Sequence, residues 1–160
     1  FLMEIALEIR EQLGETWLAN IYRDKIRTQR TRAYTLTISE RENNAEIQHT
    51  LLGVELKVGN IRLACPDLST ARYLQVFARL GCQEIAIPYD ITKISTFADE
   101  LESSWQQILL HFDEKTVGKL PSAIGRLRAG LVKEIRHELV EIGAGDKMPQ
   151  FKQTTKQRID

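Results

Sequence analysis

The apolar residues of the first 27 positions recur with the spacing of an amphipathic helix. One stripe advances four residues at a time, and two neighbours widen it: Ile5, Ile9, Leu13, Trp17 and Ile21, with Leu2 and Ala6. Side chains at this spacing share one face of a helix. Gly14 falls inside the pattern and costs about 1 kcal/mol relative to alanine, which weakens the helix without ending it. We therefore predict one helix over residues 2–27.

The spacing of the apolar residues then changes to two. Tyr34, Leu36 and Ile38 alternate with threonines, and β-branched residues in such an alternation favour a half-buried strand. The polar residues 39–44 follow as a turn. The chain thus passes from a helix to a sheet.

Residues 46–58 are again strand-like, although a Leu-Leu-Gly sequence that ends at Gly53 breaks the alternation. A bulge at Gly53 would restore the register, because glycine accepts the backbone angles that a bulge requires. Gly59 and Asn60 then supply the positive φ angles of a two-residue hairpin loop. The returning strand, residues 61–65, ends at a proline, which removes a donor from the ladder.

A short helix and a fourth strand follow. Asp67 or Ser69 caps the helix, and Gly81 is placed for a left-handed C-terminal cap. The buried face of this helix carries apolar and aromatic side chains: Tyr73, Val76, Phe77 and Leu80. Residues 84–88 are a short apolar run, which we interpret as an inner strand. Together these elements predict a helix-backed sheet of about four strands.

Two amphipathic helices complete the pattern, over residues 94–112 and 121–142. Pro121 suits a first helical position, and the glycine after residue 142 suits a helix stop. The predicted fold class is α+β: an N-terminal helix, a three-stranded antiparallel meander, a helix, a fourth strand and two amphipathic C-terminal helices. We expect a single domain over residues 1–142 and a polar, mobile tail over residues 143–160.

The composition excludes several classes of protein. Of the 160 residues 42% are hydrophobic, and 22 basic side chains balance 22 acidic ones, so the net charge is zero. This balance argues against a protein that coats nucleic acid or an anionic membrane through overall charge. No apolar run approaches the ~20 residues that cross a bilayer, so we expect a cytoplasmic protein with no membrane contact. We interpret Cys65 and Cys82 as small buried apolar residues in a reducing compartment.

The charges are nevertheless segregated along the chain. Residues 22–32 carry five basic side chains and one aspartate, whereas residues 90–114 carry six carboxylates and one lysine. Residues 115–160 are basic again, with ten basic and five acidic side chains. The acidic helix and the basic final helix could pair within one chain or between two subunits, and in the second case the final helix would be an assembly element.

The first basic segment is also a candidate contact for nucleic acid. Its four arginines would each neutralise phosphate charge: Arg23, Arg27, Arg30 and Arg32. The alternative is a solvated helix end, because basic residues suit the negative end of a helix dipole.

One pair of residues suggests chemistry. Glu55 and Lys57 lie two residues apart on a predicted strand and therefore point to one face. A carboxylate there can bind a divalent cation, while the lysine orients an attacking water or stabilises the charge that develops at phosphorus. A metal-dependent nuclease needs another carboxylate nearby, and Glu46 and Glu40 are the candidates. The alternative is a surface strand that alternates charges, with Arg62 across the hairpin.

The order helix, three strands, helix and strand over residues 2–88 resembles the core of the restriction-endonuclease-like superfamily, whose motif is PD-(D/E)xK. Glu55 and Lys57 match the ExK half of that motif. The resemblance implies that Gln75 or Arg72, on the next helix, supplies the family's frequent extra polar residue. The aspartate that precedes the ExK in this family is missing here, and only a glutamate stands near its position.

Two hypotheses about function follow. The first is a non-catalytic cytoplasmic interaction or assembly module without a cofactor, which forms a homo-oligomer or binds a protein, with a local basic patch open to nucleic acid. The alternative is a Mg- or Mn-dependent nuclease or phosphodiesterase with Glu55, Lys57 and Glu46 in its catalytic set and Glu55 as metal ligand. The first is preferred, because no complete catalytic motif is present.

Overall fold

A computed structural model describes residues 1–145, which form helices and two antiparallel sheets. The helices are α1 (Leu2–Leu13), α2 (Leu18–Ile21), α3 (Leu68–Leu80), α4 (Ile94–Lys115) and α5 (Pro121–Ile142). The strands are β1 (Thr31–Thr35), β2 (Ala45–Thr50), β3 (Gly53–Val58), β4 (Ile61–Cys65) and β5 (Glu84–Pro88). The predicted α+β class, with a meander, a helix, a strand and two final helices, is confirmed. Most of the predicted tail, residues 146–160, lies outside the described residues.

The prediction of one helix over residues 2–27 is wrong. Helix α1 ends at Gly14, whose φ of 54° is open to glycine and strained for other residues. The chain is extended at Trp17 and then resumes as α2 and a π-helical turn over Tyr22–Ile26. The break buries Trp17, whose indole Nε1 donates to Glu138 Oε1 at 2.9 Å. A single helix would have had to forgo this contact, so tertiary packing overrides the local pattern.

The interpretation of residues 46–58 as one bulged strand is also wrong. The segment is a hairpin of β2 and β3, in which Thr50 pairs with Gly53 and two leucines form the loop. The Thr50 hydroxyl accepts from the Leu52 amide at 3.2 Å and donates to the Gly53 carbonyl at 3.3 Å, which closes the turn. The second hairpin is confirmed, because Val58 pairs with Ile61 across the predicted glycine turn.

The strands do not form one sheet of about four strands. Strands β2, β3 and β4 form an antiparallel meander, whereas β1 pairs only with β5. The strand predicted at residues 34–38 lies three residues earlier, as β1 (Thr31–Thr35). Beyond the end of β1, the Gln83 side chain donates a hydrogen bond to the Ile38 carbonyl at 2.8 Å. A proline is tolerated at the end of β5. Pro88 lies opposite Thr31 at a position where the two strands exchange no hydrogen bonds, so its missing N–H removes no bond from the ladder.

The second edge of β5 is closed by two tyrosines instead of a third strand. The Ala86 amide donates to the Tyr22 hydroxyl at 2.9 Å, and the Tyr73 hydroxyl donates to the Ala86 carbonyl at 2.6 Å. The Tyr22 hydroxyl also donates to the Gly143 carbonyl at 2.9 Å, just after α5. Buried backbone groups need partners, and here two side chains supply them to Ala86, while one of the two also binds the Gly143 carbonyl.

Helix α3 agrees with its predicted signals. Asp67 is the N-cap, and its carboxylate accepts from the Thr70 amide at 2.8 Å. Gly81 ends the helix in the left-handed conformation, with φ 78°. A Cβ at this glycine would also collide with the backbone of Arg41. A larger residue is therefore disfavoured both by the left-handed backbone and by the lack of space.

Within one chain, the acidic helix α4 forms ion pairs with α3, and none of the ion pairs found among residues 1–145 joins it to the basic final helix; its pairing with that helix of a second subunit stays a prediction. Ion pairs join Arg72 to Asp99 and Arg79 to Glu102. Helix α5 instead contributes its apolar stripe to the common core through buried residues: Leu131, Val132, Ile135 and Leu139. Charge segregation along the sequence therefore supports packing within the domain.

Replacing Tyr22 by phenylalanine tests the tyrosine-closed edge. We expect the free energy of unfolding to fall by about 1–3 kcal/mol, because the buried Ala86 amide loses its acceptor. Urea unfolding followed by circular dichroism measures the change. Tyr34→Phe is the matched control, since the Tyr34 hydroxyl makes no hydrogen bond within residues 1–145, and its effect should stay within about 0.5 kcal/mol. Equal effects of the two changes would contradict the assignment.

The same tyrosines predict a loss of stability in alkali. Burial raises the pKa of Tyr22 to about 12 and also raises that of Tyr73, whereas an unfolded tyrosine titrates near 10. The folded state holds the neutral phenol, so this contribution is complete below pH 10 and is lost between pH 10 and 12. Unfolding curves across this range, with tyrosinate absorbance, should show the decline, and Tyr22→Phe should make it shallower. A flat profile would contradict it.

Candidate interaction surface

The outer face of the meander carries the residues that suggested a nuclease. Cross-strand pairing places Glu46 opposite Lys57 and Gln48 opposite Glu55, and Arg62 faces Lys57 from the third strand. Residues that pair across strands point to the same face of a sheet. The structure therefore brings Glu46, Glu55 and Lys57 onto one surface.

Hydrogen bonds and an ion pair connect side chains on this surface. Arg62 Nη1 donates to Glu55 Oε1 at 2.6 Å and to Gln48 Oε1 at 3.3 Å. Asn44 Nδ2 donates to Glu46 Oε2 at 3.4 Å. Within residues 1–145, no group of three or more His, Cys, Asp or Glu side chains is placed to hold a metal ion. The Glu55–Arg62 pair is the one that an alternating charged strand face would form, and the catalytic role of Glu55 stays a prediction.

The other residues that the resemblance suggested have partners elsewhere. Gln75 Nε2 donates to the Ala45 carbonyl at 2.9 Å, which fastens β2 to α3. Arg72 pairs with Asp99 of α4. Glu40 lies between β1 and β2, outside the meander. These contacts stabilise packing, and they do not direct a polar group toward Glu55.

The basic side chains of residues 22–32 contact several different partners. Arg23 bonds to the neighbouring Asp24 at 2.8 Å, and Lys25 bonds to Glu100 of α4 at 2.7 Å. Arg27 Nη1 donates to the Thr31 hydroxyl at 3.1 Å.

The last two arginines of this segment lie over aromatic rings. Arg30 stands 4.9 Å from the ring centre of Tyr89, and Arg32 stands 5.5 Å from that of Tyr34. Both distances are within the range of cation–π attraction. The four arginines therefore do not form one continuous free surface, and their contact with nucleic acid stays a prediction.

Both cysteines are free and buried, as expected from the sequence. Burial raises the pKa of Cys82 to about 12 and also raises that of Cys65. A thiolate is the reactive form of cysteine, so burial disfavours the reactive form of both thiols.

Among residues 1–145, the most exposed apolar side chains lie at the tip of the β2–β3 hairpin. Leu51 and Leu52 have relative exposures of 105% and 100%. Strand β4 reaches only as far as the pairing of Cys65 with Val54, so the tip projects beyond it. We call the two leucines the hairpin tip.

The hairpin that carries this tip is firmly held. Leu56 and Val58 on its inner face are buried at 0% and 3% exposure in the core, and the Gln75–Ala45 bond attaches its other strand to α3. The base of the hairpin is therefore anchored in the core, whereas its end is exposed. Leucine is also an unusual choice for a two-residue hairpin loop, which favours asparagine, aspartate and glycine.

A second apolar feature lies between the starts of α1 and α5. It is an open groove of about 540 Å³ with mainly apolar walls. Its apolar lining includes Phe1, Leu2, Leu120, Ala123 and Leu127, and Lys119 and Arg126 also line it. Phe1 and Leu120 are themselves 69% and 72% exposed. We call this the apolar groove.

Sequence reasoning missed both features. The pattern Thr-Leu-Leu-Gly between two alternating runs was a usable signal for a two-residue turn, but the interpretation as a bulge placed the leucines inside a strand. The apolar groove had no local signal, because it joins Phe1 to residues more than one hundred positions later.

Comparison with protein-family models, with curated proteins and with solved structures finds no match to this chain. Among the described residues, no helix combines the length and apolar character that a membrane span requires. The functional conclusion therefore depends on the geometry of the chain itself.

Proposed function

We propose that this protein is a non-catalytic assembly module that associates with further copies of itself through the hairpin tip. The observation that carries the proposal is the complete exposure of Leu51 and Leu52 at the end of a hairpin whose opposite end is anchored in the core by Leu56 and Val58. Contiguous exposed apolar surface is a common mark of interaction sites in soluble proteins. Contact with another molecule would remove the apolar surface of both leucines from water.

The energy available from the tip sets the strength of assembly. Burying one leucine is worth roughly 1.5–3 kcal/mol, so the pair supplies about 3–6 kcal/mol. A dissociation constant of 1 mM corresponds to about 4 kcal/mol, and association also loses translational and rotational freedom. The tip therefore supports a reversible, concentration-dependent assembly when neighbouring contacts add to it.

Sedimentation velocity over a concentration series tests this proposal. The wild type should move from 18.4 kDa toward larger species as its concentration rises to about 500 µM, a range set by the energy above. The double change Leu51→Ser and Leu52→Ser should remain at the monomer mass. Because both residues are exposed, its unfolding free energy should match the wild type within about 0.5 kcal/mol.

Leu110→Ser is the matched control, since Leu110 is another exposed leucine, at 58%, on a different element. It should assemble as the wild type does. A wild type that stays monomeric throughout the series would overturn the proposal, and so would a double variant that assembles normally.

Replacement of Glu55 separates this proposal from the nuclease alternative. An assembly module predicts that Glu55→Gln leaves the mass distribution unchanged, since the side chain faces Arg62 and not the tip. Incubation with DNA and Mn²⁺ or Mg²⁺ provides the second readout. We expect no cleavage above that of a Glu4→Gln control, a change at an exposed glutamate in α1. Cleavage by the wild type that is lost in Glu55→Gln alone would contradict the non-catalytic role.

A further inference from the structure

We infer that Thr50 is the positioning residue of the hairpin tip: its hydroxyl group holds the loop of the two leucines in one conformation before another copy binds. This inference rests on the proposed function and adds to it a residue that acts through the tip. Thr50 is the last residue of β2 and comes directly before Leu51 and Leu52.

The Thr50 hydroxyl joins the two sides of the loop. It accepts a hydrogen bond from the Leu52 amide at 3.2 Å and donates one to the Gly53 carbonyl at 3.3 Å. The strand register also places Thr50 opposite Gly53. One side chain therefore restrains both the middle of the loop and the first residue of the strand that follows.

The two leucines supply little restraint of their own. Both side chains are fully exposed, so packing does not hold them in place. Leucine is also not among the residues whose backbone preferences favour a two-residue hairpin loop. Hydrogen bonds from serine or threonine to nearby backbone groups commonly fix turns of this kind. Thr50 provides this restraint, and Gly53, at φ 133°, provides a backbone conformation that other residues rarely adopt.

A restrained loop lowers the cost of association. A flexible loop loses conformational freedom when an interface orders it, and this loss weakens binding. The hydroxyl of Thr50 removes part of the loss in advance. Both of its bonds are exposed to water, so their combined effect is comparable to that of one ordinary hydrogen bond, which corresponds to roughly a fivefold change in an association constant.

Two replacements of Thr50 test the inference. Thr50→Val keeps the branched shape that suits a strand and removes the hydroxyl, so association in sedimentation velocity should weaken roughly fivefold. Thr50→Ser keeps the hydroxyl and should restore association nearly to that of the wild type. Thr35→Val is the matched control, because Thr35 is an exposed threonine at the end of another strand. It should associate as the wild type does.

Hydrogen exchange of the Leu52 amide, followed by NMR, gives a second readout. Exchange should be faster in Thr50→Val than in the wild type, because the amide loses its acceptor, and Thr50→Ser should restore the slower rate. The inference is overturned if Thr50→Val associates as the wild type does, or if Thr50→Ser weakens association as much as Thr50→Val. In both cases the wild type still assembles and the proposed function stands. A wild type that stays monomeric overturns both.

Discussion

The closed edge of β5 is the constraint on which the rest of the structure depends. This strand is buried on both faces, so the backbone of Ala86 cannot turn to water for hydrogen bonds. Two phenols meet this need, at 2.9 Å and 2.6 Å, and they come from the π-helical turn and from α3. The hydroxyl of Tyr22 reaches Gly143 as well, so one small network ties the start, the middle and the end of the described chain together. Loss of either phenol would leave a buried polar group without a partner, which costs more than an ordinary hydrogen bond contributes.

The same network lies beside a divided sheet. The phenols bind Ala86 on the edge of β5 that faces away from β1. Strands β2, β3 and β4 pair only with one another and pack on α3. The meander is consequently attached by one face, and the end of its longest hairpin projects beyond β4. Leu51 and Leu52 lie at this projecting end and are fully exposed.

The elements that the sequence predicts well are those whose signals are local. Helix α3 has its cap at Asp67, its left-handed stop at Gly81 and a regular apolar stripe between them, and all of these appear in the structure. The break after α1 could not be predicted in this way, because it depends on the contact of Trp17 with a glutamate 121 positions later. The charged face of the meander was predicted only in part. Alternation placed Glu55 and Lys57 on one face, but only the strand register shows that Arg62 reaches the carboxylate.

The zero net charge of the chain is accompanied by ion pairs between its helices, turns and loops. Several cations are matched to carboxylates of other elements, among them Lys25 with Glu100, Arg79 with Glu102 and Arg128 with Glu42. Pairs of this kind contribute at most about 1 kcal/mol each where water reaches them, so their main effect is to orient the helices and to cancel their fields. Charges that are segregated along the sequence are thus brought together by the fold, and part of the balance between basic and acidic residues is a balance between neighbouring elements.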